Sequence, residues 1–325
     1  MQTSLRQTSK LLLVRETSFE TMCCKVLRDE FRLVQARLLY PNADDFVQSP
    51  WFGTLFVLMY RFVIAVFCLG WTIASMTLFE SWFIWLSNWS FYLVTVYFTC
   101  ATIVTAIHYK RDRRTTGNGS GAGHEKDSGG DTPKEMTDCT VERRRDKDVY
   151  CNGGSNTDTK GGEVTFTAGS QTPSATPMAW FHEALWVIYN IAATAAFLVT
   201  ISFWTLIYGS GINNNVTPFG IVVHVINAIV IIADTMLTSM PVRLLHVVYP
   251  MFYSVVYIIF TVIYWASGDG MRYIYPQTDY TGRPVFSALS IVGLLLIGLP
   301  LCQIILFCFY CIRVWMKTRR GYCFS

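Results

Sequence analysis

The stretch FGIVVHVINAIVIIADTML, residues 219–237, decides the fold class. Nearly every residue in it is aliphatic or small. The run approaches the length of about 20 residues that a helix needs to cross a hydrocarbon core about 30 Å thick. It shows no alternation of apolar and polar residues of the kind that marks a half-buried strand. Three polar side chains interrupt it: His224, Asn227 and Asp234. Their offsets, with Ile231 between the last two, put all three on one helical face. A charged group deep in hydrocarbon costs about 2.5–3.5 kcal/mol on insertion scales. That face is therefore expected to turn into a bundle, with Asn190 of the preceding apolar run on the same intramembrane polar face.

Five further runs of the same kind surround it. Thr54–Leu78 and residues 83–108 and 183–208 come before it, and residues 244–266 and 286–314 come after. The composition agrees: of 325 residues, 52% are hydrophobic and only 15% charged, and the mean hydropathy is +0.35. A soluble domain carries about 25% charged residues, so this chain cannot clothe a water-facing surface. A soluble enzyme, a disordered chain and a small disulfide scaffold are excluded. An all-α, polytopic bundle of six transmembrane helices remains, since helices satisfy their own backbone in lipid. The first fifty residues hold charges throughout and no apolar run with a cleavage site, so the first span is expected to act as the insertion signal.

Charge placement orients the bundle. Seven Lys/Arg precede residue 50, eleven lie in the loop after the second run, Arg243 sits between the fourth and fifth runs, and Arg313, Lys317, Arg319 and Arg320 close the chain. Only Arg272 and Arg283 lie on the other side, and Arg61 falls within the first span, where it is expected to snorkel to the interface. Positive-inside placement predicts both termini in the cytoplasm. The expected order is a cytoplasmic segment over 1–50, spans over 51–108, a Gly-rich cytoplasmic loop over 109–179, spans over 180–314 and a basic tail over 315–325. The loop, rich in Gly, Ser, Thr and balanced charge, buries too little apolar surface to offset its ordering entropy and is expected to be a disordered linker.

The ten Cys fall in cytoplasmic segments or spans on this topology, so free thiols are expected. Cys308, Cys311 and Cys323 flank the basic tail and are palmitoylation candidates. Asn215-Val216-Thr217 is a glycosylation sequon in a short exterior loop. Asp234, Arg243 and His246 lie close together near the inner face and are expected to form an ion pair across the Pro241 turn. Gln303 adds polarity to the last span. His182-Glu183 lacks a second His at helical spacing, and His224 has no Cys or His at ligand spacing, so neither a metal site nor a cofactor is expected. The basic runs Arg111–Arg114 and 143–145 suit anionic lipid headgroups rather than nucleic acid. Pro250 and Pro300 are expected to kink their helices. Tyr264, Tyr273, Tyr275 and Tyr280 are expected as interfacial anchors.

A string of motifs carries a family resemblance. Trp85-Leu86-Ser87-Asn88-Trp89, Pro241-Val242-Arg243-Leu244-Leu245-His246, Tyr249-Pro250, Tyr257-Ile258-Ile259-Phe260 through Tyr264-Trp265, and Tyr273-Ile274-Tyr275-Pro276 follow one another in order. Together with Cys24-Lys25 through Phe46 and Ser49-Pro50-Trp51, they resemble the rolling stone family over about residues 20–110 and 180–315. The resemblance implies a multi-pass plasma-membrane protein connected with myoblast fusion, with the lipid bilayer and membrane proteins of fusion as partners. It supplies no catalytic residue. Rolling stone proteins are in turn distantly similar to androgen-induced membrane hydrolases of fatty-acid esters, which pair a Thr nucleophile with a His. That similarity puts Ser87 at the Thr position and Asn227 at the His position, with His224 one turn earlier. Ser87 and His224 are thus the candidate catalytic pair of an alternative, lipid-ester-cleaving function, in which His224 replaces the base that Asn227 cannot be. Transport would call for inverted repeats or several interior charges, and the sequence shows neither clearly.

Overall fold

The structure, a computed structural model, describes residues 30–119, 176–208, 217–268 and 273–323. Among these residues the regular elements are helical and no strand occurs. Six helices are long and apolar enough to cross a membrane: α1 (Thr54–Leu78), α2 (Leu86–Arg114), α3 (Trp180–Leu206), α4 (Pro218–Leu237), α5 (Leu244–Ala266) and α6 (Pro284–Arg319). The chain divides into two compact units. All six helices belong to the unit made of Met1–Arg114 and Ala175–Ser325. The described part of the other unit, Thr115–Ser174, is the end of a helix that runs from Leu86 through Gly119.

Two helices outlast their expected ends. The second continues past residue 108 into the predicted linker, because Lys110, Arg111, Arg113 and Arg114 are good helix formers and Arg113 lies over the Tyr109 ring one turn back, 5.7 Å from its centroid. The last runs to Cys323, with Arg319 over the Trp315 ring at 4.6 Å. The disorder expected for the rest of the Gly-rich loop falls outside the described residues.

The bundle is built around α3. Its buried face includes Leu185, Trp186, Tyr189, Asn190 and a run of small residues, Ala192, Ala193, Ala195 and Ala196. Without a hydrophobic drive between helices in lipid, small side chains that let backbones approach are what favour contact. On this face α3 packs against α4, α5 and α6. The outside is apolar: Leu55, Met59, Phe62, Val63 and Val66 of α1 and Leu289, Val292, Leu296 and Ile297 of α6 are all exposed. The buried set, in contrast, includes Arg61, Asp234, Asn190, Gln303 and Arg313. An apolar surface of this extent would drive aggregation in water, and in a bilayer it is the face that lipid covers. The protein is an integral membrane protein.

The described residues before α1, from Glu30 on, pack into the bundle. Phe46, in the 3₁₀ turn Ala43–Phe46, is fully buried, its ring 5.6 Å from that of Trp186. Ala43 N–H donates to Thr176 O at 3.0 Å, and Ser239 N–H to Gln48 O at 2.9 Å. These contacts gather residues 43–48, the entry of α3 and the α4–α5 connection at one end of the bundle. Arg111, Arg243 and Arg313 lie there too, and we call it the basic end.

Three helices change pitch. Wider π-helical turns occupy Phe203–Tyr208 in α3, Val222–Ile226 in α4 and Leu294–Gly298 in α6. The last stands directly before Pro300, which has no N–H for the preceding turn, so the irregular ladder absorbs the missing donor. Pro250 sits in α5 just after its 3₁₀ turn Leu244–Val247, in the first turn of the α-helical part Val248–Ala266.

Candidate functional site

A cavity of about 760 Å³ opens at the end of the bundle opposite the basic end. The α1–α2 and α5–α6 connections, the first turns of α2 and α4, and the π-helical turns of α3, α4 and α6 all contribute to its wall. A π turn adds a residue to the helical ladder and re-aims the side chains around it, a deformation frequent at functional sites.

Ser87 and His224, the two candidate catalytic residues, both line this cavity. Ser87 lies in the first turn of α2, which the α5–α6 connection ties down. Leu86 N–H donates to Tyr275 Oη at 3.0 Å, and Tyr257 Oη donates to Ile84 O at 2.7 Å. The first bond satisfies one of the donors a helix start leaves open. Burial pushes the Tyr275 phenol up to about 12, so it stays protonated at physiological pH. His224 comes from the π turn of α4 and stacks on Phe203, ring centroids 3.8 Å apart and planes 6° apart. Its Nδ1 is enclosed without a hydrogen-bond partner. The fold brings Ser87 and His224 to one cavity, and no hydrogen bond joins them among the described residues.

Asn227 does not join that pair. It is fully buried and donates through Nδ2 to Ser90 Oγ at 3.1 Å. The expected polar face of α4 therefore splits by depth. His224 meets α3, Asn227 meets α2, and Asp234 meets α1 and α2. Asn190 belongs to another set: Gln303 Nε2 donates to Asn190 Oδ1 at 3.3 Å and to Arg243 O at 2.8 Å, Thr194 donates to Gln303 Oε1 at 2.6 Å, and His246 Nδ1 lies 3.4 Å from Asn190 Nδ2.

The expected ion pair is corrected. Asp234 pairs with Arg61, Nε to Oδ1 at 3.3 Å, and both side chains are wholly buried. Arg61 also donates to Phe46 O and to Thr105 Oγ1, each at 2.9 Å, and Tyr97 Oη donates to Asp234 Oδ2. Arg243 instead pairs with Glu30 at 2.7 Å, and His246 stays with Asn190. The reason is geometric. Helix α4 ends at Leu237 and the chain reverses, so Arg243 faces the N-terminal segment while Asp234 faces α1. Arg61 does not snorkel, because a carboxylate and a backbone carbonyl inside the bundle satisfy it. Arg313 of α6 works similarly. It donates to Thr235 O at 2.6 Å and Met240 O at 2.9 Å, and also to Thr238 O. These are carbonyls that the end of α4 would otherwise leave open, and a cation there also complements the helix dipole.

A second pair at the basic end was not foreseen. Ala179 N–H donates to His182 Nδ1 at 3.1 Å, which puts the proton of a neutral His182 on Nε2. That atom lies 2.9 Å from His108 Nε2, so it donates there and leaves the His108 proton on Nδ1, 3.5 Å from Asp44 Oδ1. The chain of donors links α2, the start of α3 and the N-terminal segment. The sequence signal was faint: two His in different runs, near the ends of their helices.

Other candidates fall as follows. Cys308 is exposed, whereas Cys311 is 3% exposed and packs in the core, which takes it away from an acylating enzyme. The Cys323 side chain and Asn215 lie outside the described residues. Tyr275 and Tyr280 are not free anchors. Tyr275 lines the cavity, and the Tyr280 hydroxyl lies 2.7 Å from Thr261 Oγ1. Tyr273 is exposed. Among the described residues no cluster of three His, Cys, Asp or Glu side chains forms a metal site.

Comparison with known proteins fits this architecture. Residues 174–323 match the family model described as Protein rolling stone. Protein rolling stone of Drosophila melanogaster is 23% identical over 287 residues, covering 84% of this chain and 85% of the relative. No solved structure matches the chain. The family match over α3 to α6 and the relative aligned along most of both chains make this protein similar to the rolling stone family.

Proposed function

We propose that this protein acts at the plasma membrane in cell–cell fusion of the myoblast type, with its basic end in the cytoplasm, and that it organises lipids or partner proteins in the plane of the bilayer. The observation that carries the reading is the similarity to protein rolling stone along 84% of the chain. The excess of Lys/Arg at the basic end supports the orientation. Short connections at the cavity end make the protein a poor adhesin by itself and favour action within the membrane. Deletion in a fusing cell type should lower the yield of multinucleate cells in a cell-mixing assay, and unchanged fusion would overturn the reading. Epitopes at either chain end should stay inaccessible on intact cells.

A second reading, lipid-ester cleavage, is favoured by the shared cavity of Ser87 and His224. In it Ser87 Oγ attacks the ester carbonyl, His224 takes the Ser87 proton and delivers it to the leaving alkoxide, and water later releases the acyl group. Labelling by a fluorophosphonate, lost in Ser87→Ala, tests it. Absence of labelling in the parent protein counts against it.

A further inference from the structure

The cavity itself specifies the chemistry of an occupant, independently of both readings above. Its volume of about 760 Å³ falls within the range of about 300–1,000 Å³ typical of small-molecule sites. Part of the wall is hydrocarbon: Leu198 and Val199 of α3 and Leu294, Leu295 and Leu299 of α6 line it. Asn88 and His224 line it too. Asn88 is 3% exposed, and its Nδ2 donates to Trp82 O at 2.8 Å. That bond orients the amide, so the atom left without a partner is Oδ1, an acceptor. A buried acceptor left open costs about 1–3 kcal/mol, and a ligand donor removes the cost.

Charge narrows the class further. Among the described residues no Lys or Arg lines the cavity, and the acidic residue among them, Glu80, is exposed at the α1–α2 connection. A carboxylate or phosphate drawn into this wall would lose its hydration with no cation to replace it. The group that fits is uncharged, donates to Asn88 and accepts from an imidazole N–H, which describes a hydroxyl.

We propose that this cavity binds an uncharged lipid bearing a free hydroxyl, with the hydroxyl at the Asn88 and His224 wall and the hydrocarbon body against α3 and α6. A sterol and a monoacylglycerol share this chemistry, and the test separates them.

The full-length protein, purified in detergent micelles, is exposed to photoactivatable, clickable analogues of cholesterol, of a monoacylglycerol and of palmitic acid. Saturable labelling by at least one hydroxyl probe, competed by its unlabelled parent, is expected, and which probe labels identifies the lipid. His224→Phe keeps the stack on Phe203 and removes the nitrogens. It should weaken labelling about 5- to 10-fold, the worth of one hydrogen bond of about 1–1.4 kcal/mol. Leu295→Trp fills the hydrocarbon part and should abolish labelling while leaving the melting temperature at or above that of the parent. Leu55→Trp, on the lipid-facing surface of α1, should label like the parent. Recovery of the bound lipid intact separates binding from cleavage. The proposal is overturned if neither hydroxyl probe labels saturably, if palmitic acid labels as strongly, or if folded Leu295→Trp still labels.

Discussion

The two ends of the bundle treat polarity in opposite ways. At the basic end and just inside it, charge is buried and used up. Arg61 has no exposed surface and spreads its donors over Asp234, Phe46 O and Thr105, while Arg313 closes three carbonyls after α4. At the cavity end the buried polar groups are uncharged, and Asn88 Oδ1 and His224 Nδ1 are among those that have no partner. The helices there are also less regular, with three π turns around the void. Buried charge demands fixed geometry, because each ion needs its counterpart in place. Uncharged polar groups tolerate an open state and leave room for a ligand. One end of this molecule holds the helices in register, and the other keeps a site.

The contrast breaks most sharply at Arg61 and Asp234. Arg61→Met or Asp234→Leu alone leaves a buried charge unpaired and should cost about 3–5 kcal/mol, whereas the double substitution should recover most of that loss. Thermal unfolding in detergent measures both, and a single variant as stable as the parent would contradict the pairing. Arg313→Met removes a charged donor from three carbonyls and should destabilise by about 2–3 kcal/mol, read in the same melt. At the cavity end the same measurement should hardly move. His224→Phe removes an enclosed nitrogen that lacks a partner, so its stability should stay within about 0.5 kcal/mol of the parent or rise. A loss as large as that at Arg313 would erase the difference between the two ends.

The last effect is absent at neutral pH. Burial holds the Tyr275 phenol up to about 12, against an ordinary 10. Below pH 10 it is protonated in both folded and unfolded chains and contributes no pH dependence. Above pH 10 the unfolded chain ionises first, so stability falls as pH rises from about 10 toward 12. Tyr275→Phe should flatten that part of the alkaline unfolding profile relative to the parent. An unchanged slope would place the phenol in contact with water.

The polar residues show how far one sequence reaches. His224, Asn227 and Asp234 announce themselves as costly residues in an apolar run, and each is partly or wholly withdrawn from the surface. Their partners do not announce themselves. Asp234 stands nine positions from Arg243 in sequence and bonds Arg61, 173 positions away. Proximity along the chain misled there because the helix ends at Leu237 and the chain turns back. The shift from regular to π-helical turns was likewise illegible, since no local residue pattern demands it, and with it went the cavity, Asn88 and the inward role of Tyr275. The pairing of His108 with His182 requires two helices separated by the long Gly-rich loop to meet.

By itself the sequence determined that oil is the principal solvent of this protein, that six helices cross it and that polar side chains must turn inward. Those conclusions need only length, apolar content and the cost of charge in hydrocarbon, all of which are local. Tertiary structure alone decided which cation meets Asp234, which carbonyls Arg313 closes and where a void remains. Partner choice between helices depends on their rotation and depth, and in a medium as apolar as the helices themselves those are set by the fit of small residues and hydrogen bonds across contacts that no single segment encodes.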